Sequence, residues 1–135
     1  MIDKQELADF FAREFPQADI ELEHLGKLSA TLRKRIGHSD LRPGGTVSGP
    51  TLMALADAAL YAAILGEIGL VALAVTTNLN INFLRKPSAN RDILAECRLI
   101  KLGKTLAVGE VSLYSEGNPD PVAHVVGTYS IPPQR

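Results

Sequence analysis

The stretch from Ser48 to Gly66 reads SGPTLMALADAALYAAILG, and its pattern decides the fold. A Ser-Gly pair before Pro50 and a glycine at the far end match the start and stop preferences of an α-helix. Apolar residues fall on every side of the helical wheel, so this helix has no polar face to offer water and must be surrounded by protein, as when a sheet wraps around it. Its most apolar part, Thr51 to Leu65, is about 15 residues long and contains an acid, which is too short to cross a bilayer. It reads as a buried core helix.

Upstream, Gly37 to Val47 holds Pro43, Gly44 and Gly45 with little apolar content, a loop leading into the helix and a candidate wall of a site. Before it, Ile20 to Ile36 forms two short alternating runs around Gly26-Lys27, which suits a hairpin. The opening Ile2 to Phe15 places Leu7, Phe10, Phe11 and Phe15 at helical spacing, with Asp3 as N-cap and Pro16 as a stop. Downstream, four strand-like runs cover Leu73 to Leu84, Ile93 to Leu102, Leu106 to Ser115 and Val122 to Ile131. Turn-prone segments around Pro87-Ser88, Gly103-Lys104 and Gly117-Asn118-Pro119 separate them, and such short turns predict a meander of antiparallel neighbours.

A central helix with an antiparallel sheet over it is an α+β layer arrangement, here a single domain over residues 1–135. Strict alternation in Thr76 to Phe83 turns Thr77, Leu79, Ile81 and Phe83 toward the helix. It turns Thr76, Asn78, Asn80 and Asn82 toward solvent or a partner subunit. Three asparagines run against strand preference and point to an interface or a site.

With 14 basic against 15 acidic side chains and 46% apolar residues, the composition is that of a soluble globular domain and argues against a nucleic-acid binder. The lone Cys97 excludes an internal disulfide, and no basic segment followed by an apolar stretch opens the chain, so a cytoplasmic location is expected, with no membrane partner. No Cys/His cluster has metal-ligand spacing and no Gly-rich nucleotide fingerprint is present, so neither metal nor cofactor is expected.

Asp57 is the only side chain that ionises near neutral pH between Ser48 and Leu65, and it lies mid-helix, where it cannot cap an end. A carboxylate among apolar neighbours is costly unless paired. Such groups are candidates for base catalysis, and equally for a structural pairing with a loop or a basic side chain. The helix start offers backbone N–H groups and a dipole that stabilise a carbonyl oxygen turning negative. If Pro50 is the first helical residue, Gly49 is the N-cap with a free, unshielded N–H, although an ordinary helix start explains the same residues. The eight residues from Gly49 to Asp57 span roughly 12 Å at ~1.5 Å per residue. Both cannot reach one carbonyl within one chain. If both are catalytic, the Gly49 end of one subunit meets Asp57 of another, most simply in a two-fold dimer.

From Pro43 to Ile131 the chain resembles the PaaI-like hotdog-fold acyl-CoA thioesterases. The motifs carrying the resemblance are, in order, Ser48-Gly49-Pro50, Leu55-Ala56-Asp57, Phe83-Leu84-Arg85-Lys86-Pro87 and Gly103-Lys104. The resemblance implies a sheet wrapped around the helix, a homodimer or dimer of dimers, and sites formed across the dimer interface. It implies that Asp57 is the catalytic carboxylate, as general base or nucleophile, that the Gly49 N–H polarises the thioester carbonyl, and that Thr76 helps hold the water. Arg85, Lys86, Lys101 and Lys104 would form a basic rim for the CoA phosphates. Arg42 and His38 would shape the pocket mouth, and Ser48 and Asn78 join the substrate-contacting set, whereas His24 and His124 are expected to pack. Ser48 replaces the family's histidine and Pro50 its second glycine, so the histidine's role is missing or altered and Ser48 either donates a hydrogen bond instead or simply caps the helix. Hydrolysis of an acyl-CoA thioester is the leading expectation. A non-catalytic acyl-CoA binding protein is the alternative, and a hydratase or dehydratase ranks lower because no histidine lies on or just before this helix.

Overall fold

In the computed structural model, which describes residues 2–133, the apolar helix runs farther than its sequence boundaries suggest. It spans Gly49–Ile68 and is here called α2. At 20 residues it is long and apolar enough to cross a membrane by composition. Instead, Leu52, Leu55, Leu60, Ile64, Leu65 and four alanines bury themselves against the sheet. Leu65 accepts a closing bond from the Gly69 N–H, and Gly69 takes the positive φ that ends the helix.

The shorter helix α1, Lys4–Glu14, is capped by the Asp3 carboxylate, which accepts from the Glu6 N–H, and buries Leu7, Phe10 and Phe11. Strands β1 (Ile20–Gly26) and β2 (Ser29–Lys34) form the expected hairpin. The loop before α2 is more ordered than its composition predicts. A 3-10 turn at His38–Asp40 leads into a two-stranded ribbon of β3 (Leu41–Arg42) and β4 (Thr46–Val47), turned by Gly44 and Gly45 at positive φ.

Four long strands follow: β5 (Val75–Phe83), β6 (Ile93–Leu102), β7 (Leu106–Ser115) and β8 (Ala123–Ser130). All pairings in the main sheet are antiparallel, in the order β1-β2-β6-β7-β8-β5. The expected sequential meander therefore fails at one joint. β5 does not pair with β6; it lies at the far edge beside β8, and β6 pairs with β2. The segment from 84 to 92 is long enough to cross the sheet's width, and Leu84 and Arg85 donate to the Val122 carbonyl on the way.

The helix lies unusually close to the sheet at Leu60. Gly109 and Gly127 face each other across β7 and β8. A Cβ on either would come within 2.7 or 2.5 Å of Leu60 methyl carbons. The glycine pair is thus a groove that admits Leu60.

Candidate active site

The sheet leaves one stripe of α2 uncovered. Pro50, Met53 and Ala54 are exposed, and Asp57 and Ala58 are half-buried. The helix is therefore not enclosed on every side within one chain, as its composition led one to expect. Asp57 lies in that opening. Its Oδ1 accepts a 2.6 Å bond from the Thr76 hydroxyl and a 2.8 Å bond from the Tyr129 phenol, which also lies 3.1 Å from the Asp57 carbonyl oxygen. Hydrogen bonds to an ionised acceptor are the strong ones, so Oδ1 is firmly held. Oδ2 has no hydrogen-bond partner among the described residues, and its lone pairs are available to a ligand.

Thr76 reaches Asp57 against the expectation from strict alternation. The pairing of β5 with β8 shifts register between Thr76 and Asn78, a bulge that puts Thr76 on the same side as Leu79. Thr77, predicted to face the helix, donates instead to the Thr128 carbonyl. Thr76 and Tyr129 are direct cross-strand partners, so both donors come from one rung of the ladder.

Tyr129 went unnoticed in the sequence. It sits on the inward face of β8, stacked on Tyr61 at 6.0 Å between ring centroids. A buried tyrosine needs a partner for its hydroxyl, the one signal that pointed to it. Burial raises its pKa, reinforced by the nearby Asp57 charge although the Thr76 hydrogen bond opposes it. The phenol stays protonated and remains a donor.

Asp57, Thr76 and Tyr129 all line one hollow of ≈ 450 Å³. Phe11 and Phe15 from the α1 end, Ile20, Ala58 and Tyr61 supply apolar walls.

Gly49 occupies a different place. Ser48, not Gly49, is the N-cap: its hydroxyl oxygen accepts from the Thr51 N–H at 3.2 Å and lies 2.8 Å from the Thr51 hydroxyl. Gly49 is the first helical residue, and its N–H, like the others of a first turn, has no partner within the helix. A side chain at Gly49 would press on Phe83, whose ring carbon would be 3.1 Å from a Cβ. A second hollow of ≈ 440 Å³ gathers Gly49 with Arg42, Phe83, Arg85, Lys86 and Pro87. Buried Asp40, also unnoticed in the sequence, fixes this helix start: its carbonyl accepts from the Ser48 N–H at 2.8 Å, and its carboxylate accepts from the Gly37 N–H.

The remaining expected residues are dispersed. Arg85 donates to the Pro121 carbonyl, and Lys86 and Arg42 are exposed beside it. Lys101 and Lys104 do not join them: they lie at the opposite sheet end, where Val75, Ser130 and Leu106 are in register. Asn78 is exposed at the bulge, and His38 is exposed in the turn before the helix. The two histidines expected to pack do not. His24 is exposed, and His124 faces outward, 3.5 Å from the Glu110 carboxylate. Among the described residues no group of His, Cys, Asp and Glu has the makings of a metal site.

The sequence model of the thioesterase superfamily matches residues 44–122. A candidate thioesterase of a Silicibacter species is 48% identical, with a TM-score of 0.91 over 98% of this chain and 94% of that one. The PaaI protein of the Escherichia coli phenylacetic acid degradation operon superposes with a TM-score of 0.83 at 19% identity, over 95% and 92% of the two chains. A hypothetical thioesterase of Streptococcus pneumoniae, solved with coenzyme A, does so at 0.80 and 20% identity, over 94% and 98%. At such identities the last two attest the fold, the hotdog arrangement of a sheet around a central helix. No curated protein matches the chain.

Proposed function

The chain belongs to the thioesterase superfamily, and from that premise we propose that it hydrolyses an acyl-CoA thioester at sites shared between two subunits. The observation that carries this is the Asp57 carboxylate, which lines a largely apolar hollow, with one oxygen pinned by Thr76 and Tyr129 and the other without a partner among the described residues. A carboxylate so held is an oriented base. Water, oriented by Asp57 Oδ2, attacks the thioester carbon and gives its proton to that oxygen. The carbonyl becomes an oxyanion, stabilised by the Gly49 N–H of the second copy. Collapse breaks the C–S bond, and the departing thiolate takes the proton back from Asp57. The alternative route, attack by Oδ2 itself, forms an acyl-enzyme anhydride that water then cleaves to the same products.

The separation of Gly49 and Asp57 along α2 supports a homodimer. So does the uncovered stripe from Pro50 to Ala58. In this reading Arg42, Arg85 and Lys86 lie beside the oxyanion donor and meet the CoA phosphates, while Lys101 and Lys104 extend the basic rim from the Asp57 end. Asn78 borders the interface at the β5 edge. A dimer of dimers and a cytoplasmic setting complete the proposal. Ser48 keeps the helix start in place, since its hydroxyl is occupied by Thr51. That occupation favours the second reading, an acyl-CoA binding protein without turnover, because nothing at this position replaces the family's histidine.

Asp57→Asn distinguishes the two. A panel of acyl-CoA thioesters, followed by thiol release, should be hydrolysed by the native protein, and the variant should lose roughly 10²–10⁴-fold in kcat. Undiminished hydrolysis by the variant would remove Asp57 from the mechanism. No turnover by either protein, with acyl-CoA still bound, would leave the binding protein. Cys97 is buried and its thiol is pushed up to about 12 by that burial, so it adds no background to the thiol signal.

A further inference from the structure

The hollow at Asp57 differs in character from the one at Gly49. Apart from Asp57, no charged side chain among the described residues lines it, and its hydroxyls are engaged, those of Thr76 and Tyr129 with the carboxylate and that of Tyr61 with the Ala72 carbonyl. The other walls are small or apolar: Ala54 and Ala58 from α2, Ile20 from β1, Ala72 and Ala74 from the approach to β5. Phe11 and Phe15 close it on the α1 side. Phe11 is buried, packed edge-on against Tyr61 at 6.0 Å, so it is a fixed wall. Phe15 also meets Tyr61 edge-on, at 6.2 Å, but it lies just past the last turn of α1 and is 44% exposed. A large apolar ring at a helix end, half in water and half against a cavity, is a wall with room to be moved.

We infer that this hollow receives the acyl group of the substrate, that the group is apolar and uncharged, and that Phe15 sets how long it can be. The inference rests on the hydrolytic reading for the position of the reacting carbonyl. With that carbon at Asp57 Oδ2, the acyl substituent has the apolar hollow before it, and the CoA portion leaves toward the basic Gly49 hollow of the second copy. At ≈ 450 Å³ the hollow falls in the range of small-molecule sites and is far larger than an acetyl group requires. An acyl chain ending in a carboxylate would meet the Asp57 charge and, among the described residues that line the hollow, no cation to offset it. Specificity for the acyl group is thus supplied by the N-terminal helix, outside the segment that carries the family motifs.

The test uses butyryl-, hexanoyl-, decanoyl- and succinyl-CoA with the full chain. Phe15→Ala should raise the ratio of kcat/KM for decanoyl- over butyryl-CoA by roughly tenfold or more, and Phe15→Trp should lower it, since a single methylene in an apolar pocket changes discrimination by roughly 10-fold or more. Succinyl-CoA should react at least tenfold more slowly than butyryl-CoA. Chain-length ratios unchanged in both variants, or succinyl-CoA turned over as fast as butyryl-CoA, would overturn the assignment. If Phe15→Ala does not fold, the direction of the Phe15→Trp change decides. The same series is titrated by calorimetry into Asp57→Asn with and without the Phe15 changes, so that binding is read without turnover. Should the native protein hydrolyse none of the thioesters while Phe15 still controls which chain length binds, the hydrolytic reading falls and the acyl site stands.

Discussion

Tyr129 holds Asp57 through a hydroxyl that burial keeps protonated, and two measurable consequences follow. Tyr129→Phe leaves the ring stacked on Tyr61 but removes one of the two donors on Oδ1. A hydrogen bond to a charged group is worth about 1.5–3 kcal/mol, so kcat should fall by ~10-fold or more while KM changes little, because the phenol orients the carboxylate rather than the substrate. An equal rise in KM would instead make Tyr129 part of the acyl wall alone. The second consequence concerns alkaline stability. The phenol's pKa is raised in the folded chain, so folding favours the protonated form. Its contribution is complete below the unfolded value of about 10 and is lost as pH rises above that value. Denaturant midpoints measured between pH 8 and 11 should therefore fall more steeply for the native protein than for Tyr129→Phe. Parallel curves would show that Tyr129 titrates normally.

At the scale of the elements, the close seating of α2 depends on Gly109 and Gly127. Gly127→Ala would set a Cβ 2.5 Å from a methyl of Leu60, itself buried with nowhere to move. Overpacking of this kind costs about 1–3 kcal/mol. A lowered melting temperature is expected, with a further loss of turnover, since raising α2 from the sheet also draws Asp57 away from Tyr129. An unchanged melting temperature would mean that Leu60 is free to turn aside. These contacts explain what was legible in the sequence. The all-round apolar pattern of Ser48 to Gly66, its terminal residues and the isolated acid at Asp57 are local signals, and they identified the core helix and the first member of the site. Strand pairing is not local. Nothing within Thr76 to Phe83 announces that β5 crosses to the far edge, and the bulge that turns Thr76 inward exists only in register with β8. The need of the Tyr129 hydroxyl for a partner did not say which partner, and that came with its place across from Thr76, while Asp40 became visible through the helix start it fastens.

For the whole molecule, the open stripe on α2 and the unpaired edge of β5 leave apolar surface in water, with Met53, Val75 and Phe83 all exposed. A long unpaired strand edge normally has to be covered. Sizing at micromolar concentration should return a dimer or larger; a monomer would end the shared-site reading, because one chain cannot bring Gly49 and Asp57 to the same carbonyl. The same spacing along α2 has a consequence in the language of heredity. A chain carrying Asp57→Asn and one carrying Gly49→Pro, which deletes the N–H donor, are each inactive as homodimers. In a mixed dimer one site collects both lesions and the other collects neither. Random pairing of equal amounts makes half the dimers mixed, so co-expression should return about a quarter of native activity. Two defective copies would complement each other, while either one expressed in equal amount beside the native chain would leave about half of native activity, no less than dilution alone gives. A lack of recovery in verified mixed dimers would end the reading of a site shared by Gly49 and Asp57.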